Sequence, residues 1–227
     1  MTVTSRTAPP RVATAPMLAL TFSTGVVDAI GYLGLDRVFT GNMTGNVVIL
    51  GMALAGGDGL PVLGPAVALA AFVAGAALAG RAARGGAPGW SGRTTSLLAA
   101  VAVLLAASAV PGSLPTGTVP WPLIATAMLG VAMGLQAGAA RTVAVPDVTT
   151  VVVTSTLVGL AFDSRAGAGR PQPWQRRLLA VALIGAGALM GALLLTLHFA
   201  LGAGVAALVT AAVAVAGHLT LTRGSGT

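Results

Sequence analysis

The chain has 227 residues, 56% of them hydrophobic and only 7% charged, with a mean hydropathy of +0.92. Soluble domains carry roughly a quarter charged residues, so this composition excludes an ordinary soluble domain and implies an integral membrane protein. The net charge of +7 and the sequence pI of about 11.9 could suit a nucleic-acid partner, but they arise from arginines lying between apolar runs; they read as topology signals, with no nucleic acid bound. With no cysteine there are no disulfides or thiolate metal sites. The two lone histidines have no metal-ligand spacing, so neither metal nor cofactor is expected.

In chain order, the first fifteen residues contain Thr, Pro and Arg and are expected to be a disordered cytoplasmic arm. No small-residue cleavage site follows the first apolar run, so it is not read as a signal peptide. About twenty apolar residues cross a bilayer core of roughly 30 Å as a helix. Six stretches meet or approach that length: 16–35, 60–80, 94–111, 119–140, 175–197 and 199–220. Two more are shorter or begin polar, "GNMTGNVVILGMALAG" (41–56) and "DVTTVVVTSTLVGLAF" (147–162). Residues 221–227 form a cytoplasmic tail.

The arginines choose between topologies. They cluster at Arg6 and Arg11, at Arg81, Arg84 and Arg93, at Arg165, Arg170, Arg176 and Arg177, and at Arg223. Positively charged loops stay in the cytoplasm. Eight crossings would put the Arg81–Arg93 loop opposite the N-terminus, against that rule. Six crossings with two re-entrant short segments put every cluster, and both termini, on the cytoplasmic side of a bacterial plasma membrane. The uncharged loops "PGSLPTGTVP" (111–120) and "HFALGAG" (198–204) then lie outside. Trp90, Trp121 and Trp174 each stand at the start of a span, where an indole keeps its N–H wet.

The order long span, short polar segment, span, span occurs twice. Setting 38–50 against 148–160 without gaps matches Val38/Val148, Thr40/Thr150, Thr44/Thr154, Val48/Val158 and Leu50/Leu160, and "GVVDA" (25–29) answers "GLQA" (134–137). An odd number of crossings per copy inverts the second copy, an architecture in which transporter sites collect where interrupted segments meet near the midplane. The expected fold is therefore an all-α polytopic membrane protein: one transmembrane domain, 16–220, in two inverted halves, 16–111 and 119–220.

The stretches "TFSTGVVDAIGYLGLDRVFTGNMTGNVVILGMAL" (21–54) and "MGLQAGAARTVAVPDVTTVVVTSTLVGLAFD" (133–163) carry two motif blocks, TGxxDAxxxL…VFxxNMTGN and MGxQxxxxR…VPDVTT. In these the chain resembles the YoaK-like family of bacterial multi-pass membrane proteins, over about residues 16–220. The resemblance implies about six spans and a domain of unknown function. It marks Asp28, Asn42, Thr44, Asn46, Gln136, Arg141, Asp147 and Thr154 as motif positions without giving them roles.

Each of these residues has a functional and a structural reading. Asp28 lies about twelve residues, roughly 18 Å, into the first span, where an ionised carboxylate costs several kcal/mol unless paired, hydrated or protonated. It reads as a coupling acid or substrate contact, or as a buried acid holding a neighbouring helix. Gln136 reads as site lining or as an interhelical hydrogen bond. Arg141 reads as a topology charge, a partner of Asp147 or an anion contact. Pro146 should end the preceding helix, leaving Asp147 to cap the next one. Asn42, Thr44 and Asn46 begin the first short helix, where free N–H groups can meet an anion or polar solute, or where the side chains simply cap the helix. Asn42 and Asn46 share one face, and Gly41 and Gly45 have close-packing spacing on another. Gly130, Gly134, Gly138, Gly187 and Gly191 are assigned to packing. His198 and His218 stand at span ends.

The sequence thus favours a transporter or channel for a small polar or anionic solute, with a pathway through Asp28, Asn42, Thr44, Asn46, Gln136, Arg141 and Thr154. A structural or accessory membrane subunit is the alternative. An intramembrane enzyme fits least, because no catalytic constellation is evident. The bilayer is the expected partner, and the sequence is compatible with a homo-oligomer.

Overall fold

A computed structural model describes residues 14–57, 59–86, 88–110, 120–144 and 153–224. The expected N-terminal arm up to residue 13, the last three residues of the tail, and Asp147 with the polar start of the second short segment lie outside the described residues.

The described residues form eight helices: α1 (Thr14–Gly34), α2 (Met43–Leu54), α3 (Leu63–Ala82), α4 (Gly92–Ala107), α5 (Trp121–Val143), α6 (Val153–Phe162), α7 (Trp174–Leu195) and α8 (Phe199–Gly224). Five of them, α1, α3, α5, α7 and α8, are long and apolar enough to cross a membrane. The third expected span is shorter than its apolar run suggested. α4 has 16 residues, about 24 Å at 1.5 Å per residue, because it ends at Ala107, ahead of the end of its apolar run, while a capping box in which Ser91 and Thr94 satisfy each other's backbone N–H groups fixes its start. α5 ends where Pro146 requires: Ala144 adopts a left-handed conformation (φ 56°) and donates its N–H to the Ala140 carbonyl.

Glycines set the helix pairing. Along α1 and α7, Phe22 meets Gly187, Val26 meets Gly191 and Gly34 meets Leu195, so the two helices run parallel. Ala68 against Gly130, Phe72 against Gly134 and Ala79 against Gly138 make α3 and α5 parallel in the same way. At Gly130, Gly134, Gly138, Gly187 and Gly191 the two backbones approach so closely that a side chain would collide with a backbone or Cβ atom of the facing helix. This is how helices gain van der Waals contact where lipid is as apolar as they are.

α1 runs against α5. Met17, Leu18 and Leu20 at the start of α1 share a core cluster with Ala139, Ala140 and Val143 at the end of α5. At the other end, Gly34 closing α1 and Trp121 opening α5 both meet Phe199. α4 in turn runs against α8, because Trp90, just ahead of α4, packs on Gly217 near the end of α8. The six helices α1, α3, α4, α5, α7 and α8 therefore alternate in direction. Had all eight helices crossed, α1 and α5 would be parallel. α2 instead returns to the end it starts from: Val38 before it packs on Gly64 after it, and the Arg37 guanidinium before it bonds the Gly59 carbonyl after it at 3.3 Å.

Candidate functional site: a cavity where the short helices converge

The first short segment is built around Asp28. This residue lies fourteen positions after the first residue of α1, about 21 Å along it and roughly 9 Å before its end. Its Oδ1 accepts the backbone N–H groups of Thr40, Gly41 and Asn42 at 2.9, 2.7 and 3.4 Å. Those donors belong to the chain entering α2, so Asp28 takes up backbone polarity that lipid could not satisfy and sets the depth at which α2 begins. Gly41 makes the approach feasible, because a Cβ there would come within 2.9 Å of the Thr24 methyl and 3.5 Å of both Asp28 oxygens.

The two asparagines of the motif divide the remaining work. Asn42 caps α2, its Oδ1 accepting the Gly45 N–H at 3.3 Å. Asn46, fully buried, accepts the Phe39 N–H at 2.9 Å and donates to the Phe39 carbonyl at 2.6 Å, an amide-to-peptide pair that holds the entering loop against the first turn of the helix. Gly45 leaves room for the Phe39 ring.

A cavity of about 520 Å³ lies beside this assembly. It is lined by Asp28 and Tyr32 of α1, Phe39 of the loop, Asn42 before α2, Thr44, Gly45, Val48 and Ile49 of α2, Val153 and Thr154 of α6, and Ile184 of α7. Ile184 is near the middle of α7 and its carbonyl lies against Gly25, near the middle of α1. The cavity is therefore at mid-depth in the bundle, where the starts of α2 and α6 approach each other. Small-molecule sites commonly fall in the 300–1,000 Å³ range.

Of the residues marked in the sequence, the structure brings Asp28, Asn42, Thr44 and Thr154 to one cavity. The others sit elsewhere. Asn46 lies beneath its wall and serves the loop. Gln136 is fully buried between α5 and α1, donating to Thr24 Oγ1 at 2.9 Å and to the Leu20 carbonyl at 3.4 Å, while its Oε1 has no partner among the described residues. It belongs to a polar stripe with Thr21, Ser23 and Thr24, in which Ser23 reaches Thr210 of α8 at 3.3 Å. Arg141 is exposed in the last turn of α5, where a cation complements the helix dipole, and is not among the cavity-lining residues. Asp147 lies outside the described residues.

One constellation was hidden in the topology count. Arg177, counted there as a loop charge, is buried and donates to Asp163 Oδ2 and Gln172 Oε1, both at 2.9 Å, while Gln172 donates to the Leu160 carbonyl at 3.0 Å. These bonds tie the end of α6 to the start of α7, and Gly159 lies flat under the guanidinium. The signal available in the sequence was an aspartate fourteen residues before an arginine at the head of a span. Nothing in that spacing distinguishes an ion pair from two interfacial charges.

An all-helical bundle with five span-length apolar helices, further shorter apolar helices and polar groups gathered at mid-depth is a polytopic membrane protein. The chain belongs to the family described as "Protein of unknown function (DUF1275)", which matches residues 17–216. It is 34% identical over 148 residues to the UPF0700 transmembrane protein YoaK of Bacillus subtilis (strain 168), an alignment covering 63% of this chain and 64% of that relative. The chain thus spans somewhat less than two thirds of that relative's length. No solved structure matches.

Proposed function

We propose that this protein is a transporter or channel for a small polar solute in a bacterial plasma membrane. The observation that carries the reading is the mid-depth cavity, where Asp28, Asn42, Thr44 and Thr154 meet although they come from helices far apart in sequence. Polar groups at membrane depth are costly and tend to mark a solute path. The lining favours an uncharged or cationic solute over the anion also considered from sequence. The backbone N–H groups entering α2, which an anion would seek, are already taken by Asp28, and no arginine or histidine lines the cavity among the described residues.

The reading includes two inverted halves, 16–111 and 119–220, with α1–α4 repeated as α5–α8. Matching glycine contacts support it. Gly25 of α1 faces the Ile184 carbonyl of α7, and Gly134 of α5 faces the Phe72 carbonyl of α3; Gly187 faces Phe22, and Gly75 faces Val131. Each is the other's counterpart when the halves are exchanged, and α1 runs opposite to α5. Short helices entering from opposite faces toward one midplane site are a recurring transporter design. Both termini are cytoplasmic in this reading, because Arg81, Arg84, Arg93, Arg141, Arg165, Arg170, Arg176 and Arg177 all fall at the bundle end where α1 begins. The protein is not an enzyme in this reading, and its only obligatory partner is the lipid bilayer.

The test is solute entry into proteoliposomes, followed by light scattering for glycerol and urea and by internal pH for methylammonium. At least one solute should enter faster than into protein-free vesicles, and Thr44→Trp and Thr154→Trp, which fill the cavity from opposite sides, should each abolish the excess. Entry of all three at the protein-free rate would leave the accessory-subunit reading.

A further inference from the structure

Asp28 uses one oxygen for the backbone of the entering loop, and the same side chain lines the cavity. All three backbone N–H bonds fall on Oδ1, and among the described residues the Thr40 hydroxyl is the one further donor to the carboxyl group. One helical turn further along α1, Tyr32 stacks on Phe39 with ring centroids 4.8 Å apart and planes at 30°, and both rings line the same cavity. The Thr44 and Thr154 hydroxyls and the Asn42 amide complete its polar lining, with Val48, Ile49 and Ile184 as apolar wall. A carboxylate with only one of its oxygens in the backbone N–H set, beside aromatic faces and with no cationic side chain among the described lining residues, complements a positive charge on an apolar frame. Ring faces attract ammonium groups electrostatically, most strongly where water is displaced.

We propose that this cavity binds a small organic ammonium ion, its nitrogen against Asp28 Oδ2 and its alkyl groups against Tyr32, Phe39 and the aliphatic wall. The proposal rests on the transport reading only for its physiological consequence, since binding itself is a separate observable. A hard metal ion fits less well. Calcium and magnesium gather six or more oxygens, whereas here one carboxylate is joined by neutral polar side chains alone, Asn42, Thr44, Thr154 and Tyr32, among the described lining residues. The volume of about 520 Å³ far exceeds the roughly 30 Å³ share of one water and accommodates an alkylammonium with its hydration partly retained.

The experiment is ligand binding to the full-length chain in detergent, read by thermal shift and by calorimetry, with tetramethylammonium, methylammonium, glycerol and formate as probes. A ligand of the folded state at free concentration L stabilises it by RT ln(1 + L/Kd), so the melting temperature rises with ligand concentration above Kd. The two ammonium ions should raise it in this way and give a saturable calorimetric isotherm, and glycerol and formate should do neither. Asp28→Asn keeps an oxygen for the three N–H donors but turns Oδ2 into an NH₂ group, so it should melt near the wild type and lose the ammonium response. Tyr32→Leu, which leaves the carboxylate and the loop bonds intact, should weaken binding about 2- to 5-fold through the lost ring. If Asp28→Asn does not fold, the Tyr32→Leu affinity decides. Undiminished affinity in the variant that decides, or a response to glycerol or formate with none to ammonium ions, overturns the site. Ammonium binding without flux would keep the site and remove the transport reading; glycerol flux without ammonium binding would do the reverse.

Discussion

Asparagine at membrane depth is tolerated here because every polar atom it brings is matched to one the backbone must lose. Asn46 serves the N–H and the C=O of Phe39 together, two groups that no helix or strand satisfies. Replacing it with leucine would preserve volume and leave both peptide groups buried without partners, at roughly 1–3 kcal/mol each. Asn46→Leu should therefore lower stability by about 3 kcal/mol, read as a drop in melting temperature in detergent and in folded yield. An unchanged melting temperature would mean the loop does not depend on this amide. Its neighbour Thr44 differs in kind: it is exposed to the cavity, so changing it should alter solute access with little change in stability. That both belong to one motif, "NMTGN", was legible in the sequence. Which of them faced the cavity was not, because residues two apart on a helix point in different directions and the sequence does not say which direction holds the neighbour.

At the scale of helices, close backbone approach controls assembly. Gly187 and Gly185 stand on the same helix two residues apart, yet a Cβ on Gly187 would collide with the Phe22 carbonyl of α1 while one on Gly185 would meet nothing within 4 Å. Gly187→Leu should separate α1 from α7 and cost about 3 kcal/mol, the upper part of the range for overpacked interiors, whereas Gly185→Leu should melt within a degree or two of wild type. Equal effects of the two substitutions would show that helix propensity, not the α1–α7 contact, governs this region. The assignment of Gly130, Gly134, Gly138, Gly187 and Gly191 to packing was readable from their spacing, and each faces another helix as expected. The partners were not readable. Small residues every fourth position show that some helix comes close, but the choice of α7 for α1 and α5 for α3, each across the sequence midpoint, depends on shape matching over whole faces.

For the molecule as a whole, the alternating helix directions give a labelling pattern that a chain without native cysteine reports cleanly. Single cysteines at Ala55 and Leu197 should react with an impermeant thiol reagent only from outside the cell, and those at Pro88 and Ala168 only after the cytoplasmic face is opened. All four residues are exposed. Eight crossings would instead place Ala55 inside and Pro88 outside, so labelling of those two in the reverse sense would reject the six-span arrangement.

Composition alone determined that this chain lives in a bilayer, because 7% charge cannot solvate a soluble surface of this size. Hydrophobic run lengths determined its helices to within a few residues, since each span must satisfy its own backbone within its own segment. Arginine placement pointed to six spans and two short helices, and the alternating helix directions agree. Tertiary structure decided the rest. It turned Arg177 from a loop charge into the anchor of α6, and moved Gln136 and Arg141 away from the cavity. It also gathered three backbone N–H groups on one oxygen of Asp28 and placed the same side chain in the cavity lining. Those outcomes depend on distances between groups far apart along the chain. Periodicity and charge order carry no information about such distances, because they are set by which helix faces fit together.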